Sequence, residues 1–537
     1  MKSFAAFSLI ALLLLRLAAT SAVAQIADEN RLRELRDKAH STSLTAAEQT
    51  EVTRGTEASR AAARERQARE LEQIREAGRQ AVAAAATRTA PSGPAREFFV
   101  NNETGDDKAD GLAATKGTGG PVRTLAKAVS LLRPGDTLHL AVTREPYHDY
   151  IRLVDGFGGV PGKPIVIDGH GATITGCDPL RLDDWVEAGA PGLYKSAKML
   201  SELDENNDAS KLLRVFFVFD GVVQHMGRTS KGERPAFRSP TDLRPGEWTY
   251  AESEKTFYLK VSGKLADAKV EAPYRSNGLA TRGAKIAVTN VVVKNLIVCH
   301  VLNDGFNIHG ACKDVLLQNI AAYECGDDGL SPHETCEVTI DGFWSIGNST
   351  GMCNINASVV HARNIWIEGN LSHQLMTAHA ALTEVRDSVI VAQTGTQPVN
   401  ITNSQKSRLT MDNVQISSPD RQKILLVTDA AMAARRLTVV GSGWEIRGNA
   451  NVSESVLAGA PIALVEGGTW DGSRNIYTTA TTPPKGEKDP MQRIIAAAAF
   501  KASPPPFPGV GANTAEFKIP PRPVPHPGAG KFTALGP

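Results

Sequence analysis

Asn303-Asp304-Gly305-Phe306-Asn307-Ile308-His309 is answered further along the chain by Asp327-Asp328-Gly329-Leu330-Ser331-Pro332-His333-Glu334. An offset of 24 positions separates Asp304 from Asp328, Gly305 from Gly329, Asn307 from Ser331 and His309 from His333. A period in the twenties that keeps polar residues in register marks a solenoid, in which each coil supplies short strands and stacks on the coil before it. Residues one period apart then stand about 4.8 Å from each other, the spacing of neighbouring strands. An aspartate, a glycine and a histidine column therefore climb one face. Apolar runs starting at Val291, Val315, Val338, Ile365 and Val389 follow one another at 24, 23, 27 and 24 residues, and read as the inward strands of one parallel sheet.

Outward from this core the composition changes. Residues 1–24 open with Lys2, continue through an apolar run at 9–15 and end in Ala22-Val23-Ala24, the pattern of a cleaved signal peptide. The expected location is secreted or periplasmic, with no membrane span. Removing Lys2 and Arg16 from 59 basic residues against 58 acidic ones leaves no basic excess, so nucleic acid is not an expected partner. Residues 25–90 are rich in Ala, Arg and Glu and lack Pro, which reads as a charged helical extension open to self-association and, having little apolar surface, dispensable for the core. A linker at 91–96 holds Pro91-Ser92-Gly93-Pro94. The main domain is read at 97–480, with a small β insertion at 193–261 that interrupts the coils. Residues 481–537 form a Pro-rich tail, lying on the solenoid or free of it.

The first coils carry Thr124-Leu125-Ala126-Lys127-Ala128, Arg133-Pro134-Gly135-Asp136-Thr137 and Pro161-Gly162-Lys163-Pro164-Ile165 in that order. This stretch resembles the N-terminal cap and first coils of secreted proteins of the pectin lyase-like superfamily. The resemblance implies an all-β fold, a right-handed parallel β-helix, and a carbohydrate-active role with a polysaccharide substrate, acidic in many cases. It does not select a reaction, because one fold hosts many activities.

Asp304, Asp327 and Asp328 are the leading catalytic candidates. Glycoside hydrolysis needs one protonated carboxyl as acid and one carboxylate as base or nucleophile, and like charges held close split their pKa values in the required way. The three aspartates resemble those of the polygalacturonase-like hydrolases, but 348–351 and 374–377 lack that family's later Gly-His-Gly and Arg-x-Lys motifs. His309 and His333 form the second candidate column, in which one imidazole stays neutral and can act as a base. Ser331-Pro332-His333-Glu334 is loosely similar to the Asp-Pro-His-Asp motif of mannuronan C5-epimerases, which implies uronate lyase or epimerase chemistry at His333. Asp-Gly turns and stacked histidines serve equally well as structural columns, so a non-catalytic envelope or glycan-binding β-helix is the reading from a different class. No cofactor is required. Ca²⁺ suits Asp304, Asp327, Asp328 and Glu334, and Zn²⁺ suits His309 with His333. Cys312 and Cys336 are again 24 apart, near enough for a disulfide that secretion would permit, while in-register parallel positions aim their side chains alike, which favours a stacked reduced pair. Trp344 and Trp366 are expected in the core.

Overall fold

The computed structural model describes residue 31 and residues 46–525, except 118, 233, 392–400, 419–422, 442, 459–460, 479–480 and 494–508. The signal peptide read at 1–24 and Pro504-Pro505-Pro506 lie outside the described residues. Two compact units divide the chain between Gln73 and Ile74. Helix α1, Ala46–Ala86, begins in the first unit, where its side chains are mostly solvent-exposed. No helix among the described residues is long and apolar enough to cross a membrane.

From residue 97 the second unit is a parallel β-helix. Each coil contributes to three ladders. The front ladder stacks Ile151–Val154, the start of Leu279–Lys294, the start of Phe306–Tyr323, Asp328–Pro332, Thr350–Asn354 and His373–Thr377. The second ladder runs from Glu97–Val100 through Thr137–Leu140 and Ile165–Asp168 to Thr469–Ser473. The third runs from Thr173–Thr175 through Ile297–Cys299 toward Met491–Arg493. Val291, Val315, Val338 and Val360 point inward at the same level of successive coils and are at most 3% exposed. Stacked in this way they bury an apolar core that no single coil could form.

A corner separates the second ladder from the third. It falls on Asn295, Asn319, Gly342, Asn364, Asp387 and Asn413, and every one of them has positive φ. Asn and Asp tolerate this left-handed conformation better than other non-glycine residues. Their side chains also bond along the stack, as Asn413 Nδ2 does in donating to Asp387 Oδ1 at 2.6 Å. The corner corrects the register read from sequence. Val338 pairs with Val360, while Ile365 pairs with Phe343. The runs at Ile365 and Val389 follow the corner and belong to the third ladder, whereas those at Val291, Val315 and Val338 precede it. The 27-residue step is thus a change of face, and the pairing is parallel throughout.

Two four-stranded antiparallel sheets interrupt the coils. They reach beyond 193–261 on both sides, because Cys177–Pro179 and Val270–Pro273 pair with each other and close the excursion. A separate aromatic core including Trp185, Phe217, Trp248 and Phe257 holds this insertion together. Its helix Asp208–Arg214 is capped by Asn207, whose side chain accepts from Ser210 N.

The described part of the tail lies along the third ladder. Trp344 Nε1 donates to Pro520 O at 3.0 Å and Tyr323 OH to Pro523 O at 2.7 Å. Trp344 and Trp366 stack with centroids 5.1 Å apart on the outer side of the coil beneath Ile519, rather than inside it. All six cysteines are buried free thiols, Cys312 and Cys336 among them.

The end of α1 packs on the solenoid, although residues 25–90 carry little apolar surface. Ala81 and Ala85 are buried against Ala287 and Ala311, and a β-carbon on Gly78 would fall 2.1 Å from Thr335 Oγ1. Beyond the helix, Arg88 donates to Gly156 O at 2.5 Å and Gly159 O at 2.8 Å. The contact is made of small residues in close approach, so its stability comes from fit. Ala81→Asp places a carboxylate at a site 1% exposed and is expected to cost at least about 2 kcal/mol, read as a lower urea midpoint. An unchanged midpoint would mean that the helix end is only loosely laid on the solenoid.

Candidate functional site

Where the third ladder ends, the chain turns into the front ladder, and the aspartates sit in this turn on adjacent coils. Phe306 pairs with Leu330, so Asp304 stands beside Asp328, and Thr350 is next in the column. One oxygen from each of Asp304, Asp327 and Asp328 lies within 4.8 Å of the others. All three are buried, at 3%, 5% and 2% exposure.

The insertion covers them. Arg214 Nε donates to Asp327 Oδ2 at 2.9 Å. Lys231 Nζ bridges Asp327 and Asp328, at 2.5 Å from Asp328 Oδ1. Ser230 Oγ also donates to Asp327 and reaches Ser349 Oγ at 2.8 Å. Gly326 is required by this closeness, since a β-carbon there would lie 2.5 Å from Arg214 O. Asp304 accepts from Asn307 Nδ2 at 2.6 Å and from the backbone N–H of Asp328 at 3.0 Å.

Three carboxyls share two cations, and their affinities for protons split accordingly. Although burial opposes it, the ammonium of Lys231 and the guanidinium of Arg214 hold Asp327 well below the usual carboxylate range. Burial, then the charge of Asp327, raises Asp328 to about 8 and Asp304 to about 6. Between pH 3.8 and 8 the folded chain keeps a proton on Asp328 that the unfolded chain has released, so this group makes stability fall as pH rises. Half-buried His225, His309, His333, His373 and His379 are pushed below their ordinary 6.5 by desolvation, and act in the opposite sense until the unfolded chain has lost its own histidine protons. Above pH 6.5 the histidines fade from the balance, and Asp328 acts together with the buried cysteine thiols, which burial raises and which have the same sign, so the share of Asp328 is the difference between the parent and Asp328→Asn. Across the window from 6.5 to 8 that share is expected to be a fall in unfolding free energy of up to about 1.4 kcal/mol per pH unit, and Asp328→Asn is expected to flatten the slope by as much. A parental slope in the variant, measured by urea melts across the window, would show that the other groups carry it.

His309 and His333 stack with centroids 4.0 Å apart. Burial lowers the pKa of both, and for His333 the neighbouring His309 adds to the effect. Both are thus held as neutral imidazoles. Ser331 Oγ joins the two columns, donating to Asp328 Oδ2 at 2.7 Å and lying 2.9 Å from His333 Nε2. His309 Nε2 is buried without a hydrogen-bond partner, and its Nδ1 lies 3.7 Å from Glu334 Oε1. Glu334 belongs with the histidines and not with the aspartates. Its Oε2 accepts from Gly310 N at 2.9 Å, so the four-carboxylate Ca²⁺ set read from sequence does not assemble. The chemistry of the donors still allows a cation at Asp304, Asp327 and Asp328 or at His309, His333 and Glu334, but at the aspartates Lys231 already supplies a positive charge.

An open cavity of about 600 Å³ adjoins the aspartates on the front ladder, lined among others by Tyr150, Arg152, Asn277, Arg282, Asn307 and His309. The aspartates do not line it. Asp304 stands one hydrogen bond behind its wall, through Asn307. Arg282 pairs directly with His309 in the ladder. Arg152 and Arg282 are exposed and form no ion pair among the described residues. Neither was legible by counting. Twenty-four positions back from His309 is Lys285, but the irregularity between Gly283 and Val288 inserts extra residues and brings Arg282 into the column. Arg214, Ser230 and Lys231 come from the insertion, which has no repeat to align.

No family model matches the chain, and no curated protein does. Among solved structures the chain is similar to one described as the complex of XylC with xylose, at 12% identity and a TM-score of 0.44 over 74% of this chain and 86% of that one. A GH136 lacto-N-biosidase from Eubacterium ramulus overlaps at 11% identity and 0.30, over 74% and 68%. A rhamnogalacturonan lyase overlaps at 12% and 0.29, over 77% and 90%.

Proposed function

We propose that the chain is a polysaccharide-modifying enzyme acting outside the cytoplasm on a uronate-containing polymer, with the front cavity as its site. The observation that carries this reading is the pair Arg152 and Arg282. Both line a cavity of ligand size without an ion pair among the described residues, next to an imidazole held neutral. Arginine pairs with a carboxylate in a planar fork, and a carboxylate neutralised in this way makes the proton on the adjacent carbon removable. His309 then takes that proton as general base. If the electron pair left on the carbon forms a double bond and expels the glycosidic oxygen, which takes up the proton that His309 has collected, the chain is cut by β-elimination. If a solvent proton adds to that carbon from the opposite face and His309 releases its own to water, the product is the epimer. Asn277 and Asn307 supply the amide groups that orient hydroxyls.

A second reading, glycoside hydrolysis by the aspartates, is favoured by the split between Asp328, raised, and Asp327, lowered, because neighbouring carboxyls with separated affinities are the mark of an acid–base pair. It requires Ser230 and Lys231 to lift from the carboxylates. Incubation with a panel of acidic and neutral polysaccharides separates the two. Ultraviolet absorbance from unsaturated uronates, or inversion seen by proton NMR, supports the first. New reducing ends without absorbance support the second, and no change on any polymer favours a binding role.

A further inference from the structure

Away from the cavity, at the N-terminal end of the solenoid, three adjacent strands of the second ladder bring together Glu97, His139, Asp168 and His170. Glu97–Val100 pairs with Thr137–Leu140, which pairs with Ile165–Asp168, and His139 lies opposite Asp168 in that register. His139 Nδ1 and His170 Nε2 are 2.8 Å apart. On its other side, His139 Nε2 contacts the carboxylate of Glu97. A carboxylate can only accept, so Nε2 carries a proton, and Nδ1, turned toward His170, is the nitrogen a metal would take. Asp168 completes the group, since one ligand atom from each of His139, Asp168 and His170 lies within 4.8 Å of the other two.

We propose that these three residues form a divalent transition-metal site, with Zn²⁺ as the ion that fits best. Two imidazoles and one carboxylate are a zinc donor set, and zinc–nitrogen bonds of about 2.0–2.1 Å need only a small widening of the present nitrogen–nitrogen contact. Glu97 on the far nitrogen of His139 is the outer-shell partner that ligating histidines commonly have. Asp168 Oδ1 is fixed, accepting from Asn295 Nδ2 at 2.9 Å and from His170 N at 3.0 Å, while Oδ2 is paired at 3.0 Å with Lys294 Nζ, a half-exposed ammonium that would turn to solvent as the ion takes its place. His170 is aimed by its own backbone, which has φ +52 at the turn after the strand. His170 is 47% and Asp168 only 7% exposed at the side chain, which leaves an outer face for water as the fourth ligand. The ion would tie the first strands of the solenoid to one another at its exposed end.

The test is calorimetric titration of the chelator-treated full chain with zinc chloride, with a thermal melt in parallel. The expected result is one zinc bound with a raised melting temperature. Both should be lost in His139→Asn and in His170→Asn, while Glu97→Gln weakens binding about 10- to 100-fold. His170→Asn changes a residue already near solvent and is the variant to rely on if His139→Asn folds poorly. Zinc binding unchanged in His170→Asn but abolished in His309→Gln would place the ion in the cavity and overturn the proposal. Absence of any binding heat would reduce the pair to a hydrogen-bonded contact and overturn it equally.

Discussion

On a uronate polymer that the protein turns over, His309→Gln lowers the rate by about 10²- to 10⁴-fold, the usual contribution of a general base. Glutamine keeps the size and polarity of the side chain and removes only its capacity to take a proton, so folding should be retained. Arg282→Ala is expected to fall into the same range on that polymer, because its role is to meet the carboxylate whose neutralisation makes the proton removable. Steady-state rates by ultraviolet absorbance check both. Parental rates in both variants on a confirmed substrate would remove the cavity from the chemistry, and attention would return to the aspartates.

Asp327→Ala should be the most destabilising single change at the aspartates. The side chain receives Arg214, Lys231 and Ser230, and removing one partner of a buried ion pair leaves the other charge uncompensated, at a cost of about 3–5 kcal/mol. Asp328→Ala should cost less, since burial has already moved that carboxyl toward its neutral form. Urea denaturation compares them. Equal small losses would show that Lys231 finds other partners when the insertion relaxes.

The solenoid and both columns were legible because a strict period is a geometric statement. Asp304 and Asp328, or His309 and His333, must be neighbours if the coils stack at all. The finer register failed where the pattern was degenerate. Val338 and Ile365 start equally apolar runs, and only the left-handed residue on one side or the other of each run tells which ladder it joins. Arg282 was hidden by a local insertion that changes the count, and Lys231 by belonging to a segment that repeats nothing. The docking of Ala81 and Ala85 escaped for another reason, since apolar periodicity weighs large side chains and this contact is built from small ones.

The tail changes what kind of object the solenoid is. In a bare stack each coil touches only its neighbours, stability is a sum of local contributions, and the ends can fray while the middle stands. Here Gly511 bonds to Glu454, Ala512 to Thr438, Asn513 to Asn413, Lys518 to Asn364, Pro520 to Trp344 and Pro523 to Tyr323. The chain runs back across the coils it has just made and ties six of them to a common strap. Losing one of these coils then loosens the strap over the others, so what would be a zipper opening from its end is expected to unfold more nearly as one unit.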